Sequence, residues 1–238
     1  MKLSSLVEHY LANAAAATRL PSEEKFRALM LEDRNRALAR FKDSTYEAST
    51  QNDPRFDSVV VIFMPGGSLG SGFFVTPDVV MTNYHVVKEG KFVELKLYDG
   101  RETFGKVIAK DVKLDLALIR VQSRGKPVRF FDKRQLDLGS TVEVIGHPQS
   151  YEFSITRGVI SAVRPMAGPN IPGGDKVLHV QIDAATSPGN SGGPVFLRDH
   201  VVSVVSWGRI DRGSENLNFT IHHSEAERFL RESLGAGS

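Results

Sequence analysis

The run Ser187-Pro188-Gly189-Asn190-Ser191-Gly192-Gly193-Pro194 sets one hydroxyl, that of Ser191, in a glycine-rich turn. A serine hydroxyl is a poor nucleophile at neutral pH. To form an acyl bond it needs a base beside it, a group that orients the base, and donors for the developing oxyanion. Glycines suit the last requirement, because a residue without Cβ lets successive N–H groups converge in one concavity. The N–H groups of Gly189 and Ser191, with Asn190 between them, are the candidate oxyanion hole.

A histidine and a carboxylate occur upstream. His85 stands in Met81-Thr82-Asn83-Tyr84-His85-Val86-Val87, directly after the apolar stretch that begins at Phe73. Asp115 heads Leu116-Ala117-Leu118-Ile119-Arg120-Val121, a strand-like run. A buried carboxylate is costly unless it is hydrogen-bonded, so an aspartate there calls for a partner, and an imidazole N–H is the obvious one. Alone, each motif also has a plain reading as a turn, a core histidine or a cap. Their chemistry converges only when the three are taken together as base, orienting group and nucleophile.

Taken with their flanks, these residues resemble the trypsin-like, chymotrypsin-fold serine proteases, and among them the bacterial HtrA/Deg-type enzymes. The resemblance rests on Gly70-Ser71-Gly72-Phe73 with Thr82-Asn83-Tyr84-His85-Val86-Val87, on Asp115-Leu116-Ala117-Leu118-Ile119, and on Gln181-Ile182-Asp183-Ala184-Ala185 leading into Gly189-Asn190-Ser191-Gly192-Gly193-Pro194. It covers roughly Ser58 to Ile221, in the chain order His, Asp, Ser. It implies a serine endopeptidase with His85, Asp115 and Ser191 as its triad, or else a latent scaffold of the same fold that binds peptides or partners.

The resemblance also implies a substrate site. Ala185, six residues before Ser191, falls at the base of the primary specificity pocket, with Thr186 beside it; neither offers the negative charge that would attract lysine or arginine. Ser206-Trp207-Gly208 is similar to the strand that pairs with substrate backbone, and Asn218 reaches the pocket wall. Cleavage after small or medium aliphatic residues is expected. Asn190 stands where animal trypsins have an aspartate, so activation by a freed amino terminus is not expected. Ordering of loops by a partner, substrate or oligomer is, with Arg164 to Lys176 as a candidate mobile loop.

The elements that must position these groups read as short strands with turn signals between them, which fits a mainly β fold of two six-stranded antiparallel β-barrels. Barrel one is expected over about 55–130 and barrel two over about 138–222. Ser224 with Glu227 reads as a capping box opening a short C-terminal helix over 225–234. Residues 1–52 lie outside the resemblance: Leu6, Tyr10 and Leu11, then Phe26, Met30, Ala37 and Phe41 recur at helical spacing. That segment is expected to be a helical hairpin that packs on the protease domain (53–238) or a neighbouring subunit, or a docking segment for a regulatory partner through residues 1–50.

Composition bounds the rest. With 238 residues, 41% of them hydrophobic, the chain can bury a full core. A net charge of +2 gives no reason to expect nucleic acid or membrane binding. Lys2 is followed by Glu8 and His9 where a secretion signal would be apolar, and there is no cysteine. A cytoplasmic address is therefore expected. Deg-type proteases usually continue into a PDZ module, and none is expected here. Gly66 to Gly72 lacks the Gly-Lys-Ser/Thr ending of a phosphate cradle and reads as a hairpin loop. His222-His223 lacks a second ligand cluster, so no metal or organic cofactor is expected. The oligomeric state is not readable.

Overall fold

The computed structural model describes residues 53–63, 69–147, 153–167, 176–208 and 217–235, with the backbone alone for 207 and 208. The helical segment expected over 1–52 lies outside these residues. Within them the chain forms two antiparallel barrels. The first closes in the order β1 (Val59–Phe63), β2 (Leu69–Thr76), β3 (Val79–Thr82), β6 (Leu116–Val121), β5 (Glu102–Asp111) and β4 (Phe92–Leu97). A short segment, β7 (Arg129–Phe130), crosses over and pairs in parallel with the second barrel. That barrel is made of β8 (Thr141–Gly146), β9 (Ser154–Ala167), β10 (Lys176–Ile182), β13 (Asn218–His222), β12 (His200–Gly208) and β11 (Pro194–Leu197), closed by pairing of β11 with both β8 and β12. The mainly β, two-barrel fold expected from the sequence is the fold observed.

Several strands are apolar throughout rather than alternating, and their placement explains why. All five residues of β1 are buried, because alternate side chains have different apolar neighbours. Val60 and Ile62 point into barrel one with Phe74, Val80, Leu95 and Ile119, while Val59 joins Phe73, Met81, Leu116, Leu118, Ile145 and Phe196 in a second cluster shared by the barrels. Barrel two has its own filling of Val142, Val144, Ile160, Val180, Ile182 and Val195. Each such side chain withdrawn from water contributes about 1.5–3 kcal/mol before entropy is counted.

Three boundaries differ from expectation. Gly70 to Gly72 belong to strand β2, not to a hairpin loop: a Cβ on Gly70 would lie 2.7 Å from Val86 Cγ1 and one on Gly72 2.8 Å from Val80 Cγ1, so these glycines exist to let neighbours pack on the strand. Arg164–Ala167 and Lys176, expected in a mobile loop, lie in β9 and β10, where Ala167 pairs with Lys176 and Arg164 with His179. The C-terminal helix, α2 (His223–Gly235), follows the one-turn helix α1 (Tyr84–Val87) in chain order and begins before the expected capping box. His222 Nδ1, not Ser224, accepts the early N–H, that of Ser224 at 3.1 Å, while Glu227 faces His223 Nδ1 at 3.3 Å.

Candidate active site

The pairing of β3 with β6 builds half of the site. Because the strands run antiparallel with Thr82 opposite Ala117, the end of one lies beside the start of the other. His85, on α1 just past β3, therefore meets Asp115, just before β6, although 30 residues separate them. Asp115 is fully buried and adopts φ +56°, a left-handed conformation that aspartate tolerates better than most residues. The turn aims its groups at α1. Its carbonyl accepts from Tyr84 N–H at 3.0 Å and from Asn83 Nδ2 at 2.9 Å. Its carboxylate accepts from His85 N–H at 3.0 Å and pairs with His85 Nδ1 at 2.8 Å. A carboxylate can only accept, so Nδ1 carries the hydrogen, and in the neutral ring that leaves the Nε2 lone pair available; the side chain is about one-third exposed.

Ser206 links this pair to the other barrel. Strand β12 carries a bulge there: Val205 pairs with Thr220 and Trp207 with Phe219, leaving Ser206 as the extra residue. Freed from the ladder, Ser206 donates its hydroxyl to Asp115 Oδ2 at 2.7 Å, and its carbonyl accepts the Ser191 hydroxyl at 3.5 Å. Asp115, Ser206 and Ser191 thus form one chain of contacts across the cleft. Among the described residues no hydrogen bond joins Ser191 Oγ to His85; in this conformation the hydroxyl is turned toward Ser206. Such bonds are commonly long or absent without substrate.

The loop around Ser191 is pinned from three sides. Gly192 N–H donates to Val205 O and Val205 N–H to Gly193 O, both at 2.9 Å, anchoring it on β12. Asn190 N–H donates to Ser187 O at 3.0 Å, and Gly193 N–H to Asn190 O at 2.9 Å, closing tight turns. Ser71 N–H on β2 donates to Ser191 O at 2.9 Å. Gly189 and Gly192 take φ of +105° and +83°, conformations that need glycine. Neither the Gly189 nor the Ser191 N–H is hydrogen-bonded among the described residues. The Asn190 N–H is taken up by Ser187, so of the three expected oxyanion residues Asn190 shapes the turn and the other two have N–H groups to offer.

The other expected substrate residues also converge. Ala185 is exposed, with its carbonyl held by Thr156 Oγ1 at 2.7 Å. Thr186 Oγ1 donates to Asn218 Oδ1 at 2.5 Å, and Asn218 Nδ2 to Ala184 O at 2.8 Å, so the asparagine tacks the 184–186 segment to β13. In backbone register Gly208 lies opposite Asn218 and Trp207 opposite Phe219, which brings 206–208 alongside this wall. Sequence reasoning missed Asn83, Thr82 and Ser71, and it placed Ser206 with the substrate rather than on the carboxylate. The available signal was Ser71 between two glycines of a strand, the mark of close backbone approach. His222 and His223 pack against each other, and His223 Nε2 bonds Lys133 O at 3.1 Å.

Residues 70–203 match the family described as trypsin-like peptidase domain. A probable periplasmic serine endoprotease, DegP-like, from Ectopseudomonas mendocina is 40% identical over 60% of this chain and 31% of its own length. Its counterpart in Pseudomonas fulva is 34% identical over 76% of this chain and 38% of its own. The chain thus spans about a third of the length of these curated relatives. Among solved structures, an M. tuberculosis protease in its active form superposes with a TM-score of 0.68 at 26% identity, covering 79% of this chain and 93% of that one. The serine endoprotease from Yersinia pestis, 22% identical with a TM-score of 0.66, shares the fold.

These relatives correct one expectation. They are named periplasmic, which overturns the cytoplasmic address. The absence of cysteine was a weak guide, since a chain without thiols has nothing to oxidise and suits either redox environment. What the match over 70–203, the barrel pair and the relatives establish is kinship: this chain belongs to the trypsin-like peptidase family.

Proposed function

We propose that this chain is a serine endopeptidase, with Ser191 as nucleophile, His85 as general base and Asp115 as the group that holds the imidazole. The observation that carries this reading is the buried Asp115 carboxylate bonded to His85 Nδ1 at 2.8 Å, with Ser206 tying the same oxygen to the serine loop. After a turn of its side chain, Ser191 Oγ attacks the scissile carbonyl carbon while its proton passes to His85 Nε2. The oxyanion is received by Gly189 and Ser191 N–H. The carbon–nitrogen bond then breaks, His85 returns the proton to the leaving amine, and water repeats the sequence on the acyl-enzyme.

The substrate is a protein or peptide, entering as an extended strand beside Ser206-Trp207-Gly208. The Ala185, Thr186 and Asn218 wall carries no charge, which supports cleavage after small or medium aliphatic residues. A peptide-library profile dominated by Lys or Arg would overturn that preference. The relatives' names support a periplasmic location, tested by cell fractionation. Residues 1–52 are proposed as a segment distinct from the protease domain over 53–238, serving packing or a regulatory partner. Deletion of residues 1–50 separates the two: lost stability favours packing, altered turnover on a stable fold favours regulation.

The test of the activity is labelling by a serine-directed fluorophosphonate together with casein hydrolysis. The parent protein is expected to label and turn over and Ser191→Ala to do neither. Equal labelling of the two overturns the reading. The turning of Ser191 Oγ toward Ser206 favours a resting form completed by substrate. Turnover that accelerates after preincubation with a peptide product supports that form, and linear initial rates at every substrate concentration would count against it.

A further inference from the structure

Ser71 is fully buried inside β2, a strand of barrel one, yet every polar group it owns is engaged at the site. Its N–H donates to Ser191 O at 2.9 Å, its hydroxyl donates to Gly189 O at 2.6 Å, and its carbonyl accepts from Thr82 Oγ1 at 2.7 Å. The first two bonds cross from one barrel to the nucleophile loop of the other. The Gly189 carbonyl belongs to the peptide unit that lies between the two units bearing the Gly189 and Ser191 N–H groups. Whatever fixes that carbonyl fixes the relative aim of both donors.

Glycine makes the fixing necessary. At φ +105° Gly189 sits where either sign of φ is accessible, so the unit after it can rotate with little steric resistance. The Ser71 hydroxyl is the group that holds it. The fit around that hydroxyl is close: Cβ atoms built on Gly146, Gly192 and Gly193 would lie 3.1 Å from Ser71 Oγ, 2.3 Å from Ser71 O and 3.2 Å from Ser71 Cβ. Three glycines thus clear a space in which this one side chain meets the loop.

We infer that Ser71 is a positioning residue, whose hydroxyl latches the Gly189 carbonyl and so holds the oxyanion donors in register with an imidazole carried by the same barrel as Ser71. This rests on the serine endopeptidase reading for its catalytic consequence, but the latch is a property of the loop and can be measured without turnover. Losing a whole oxyanion donor typically lowers kcat 10²–10³-fold, and misaiming two donors costs part of that.

The test compares the parent, Ser71→Ala, Ser71→Cys and Ser191→Ala. Hydrogen exchange followed by mass spectrometry reads the loop over 187–193, and steady-state kinetics on a peptide substrate reads the consequence. Ser71→Ala is expected to exchange roughly tenfold faster in the loop while exchange in both barrels is retained, and to lose roughly 10- to 100-fold in kcat with KM within threefold of the parent. Ser71→Cys, a weaker donor of similar shape, falls between them. Unchanged loop exchange in Ser71→Ala, kcat within threefold of the parent, or a cysteine variant no better than the alanine one would overturn the latch. Should the parent label no more than Ser191→Ala, the endopeptidase reading fails, and the exchange measurement still decides whether Ser71 holds the loop.

Discussion

Asp115 combines strain, burial and hydrogen bonding in one residue. Its left-handed backbone is unfavourable for most side chains, and it persists because its carbonyl and both carboxylate oxygens are occupied by Asn83, Tyr84, His85 and Ser206. Asp115→Asn keeps the shape but presents an amide N–H₂ where donors now arrive. Meeting it forces the imidazole into the tautomer with hydrogen on Nε2, which cannot take the serine proton. We expect kcat to fall roughly 10³–10⁴-fold while the folded structure is retained. A variant within tenfold of the parent kcat, at matched circular dichroism, would count against the orienting role. This residue was legible in the sequence because a carboxylate heading an apolar strand must find a donor. Ser206 was legible only as a neighbour of substrate, since its link to Asp115 depends on a bulge, and register is a property of two strands read together. Ser71 escaped notice because Gly-Ser-Gly has the composition of a turn, and only the packing of Val86 and Val80 against those glycines shows why it is a strand.

At the scale of elements, the site depends on segments brought closer than side chains normally allow. Gly192 and Gly100 provide a controlled comparison, both having φ of +83°. Around Gly100 an added Cβ meets nothing within 4 Å, whereas at Gly192 it would lie 2.3 Å from both Ser71 O and Thr82 Oγ1. Gly100→Ala should cost only the left-handed strain, about 1–2 kcal/mol. Gly192→Ala should cost that plus roughly 1–3 kcal/mol of overpacking, and should lose activity because the loop must move away from β2. Urea unfolding of both variants measures the difference, and equal destabilisation would mean that β2 yields freely. The strands themselves were legible from their short apolar runs. The helix start was not, because the cap is supplied by the His222 ring, a residue type with no strong capping signature.

At the scale of the whole molecule, two kinds of titratable group lose their contribution to stability on acidification, in different pH windows. Arg55 reaches Asp53 at 2.5 Å and Glu143 on β8 at 2.7 Å, and its hydrogen bond holds the Asp53 carboxyl below the usual range. Burial alone would raise Glu143, but Arg157 and Arg55 hold it low as well. These carboxylates contribute stability that is present above their unfolded range and lost only as pH falls below about 4. His147, at the end of β8, acts in the same direction but from a higher pH. Complete burial pushes its pKa from 6.5 down to about 3, and its Nδ1 accepts the Phe153 N–H at 2.9 Å, closing the β8–β9 connection. Between pH 6.5 and 3 the unfolded chain takes up a proton that the folded one refuses, so stability falls as pH is lowered through that window. By pH 5 one such histidine costs about 2 kcal/mol. His222, pushed down to about 4 by burial and then by His223, acts in the same direction. His147→Asn retains an acceptor for Phe153 but cannot be protonated, so the pH 5 to 7 difference in unfolding free energy should shrink by about 2 kcal/mol relative to the parent. Urea melts at both pH values check it: an undiminished pH dependence in the variant would mean that His147 titrates freely in the folded protein, and that the junction between β8 and β9 is open to water.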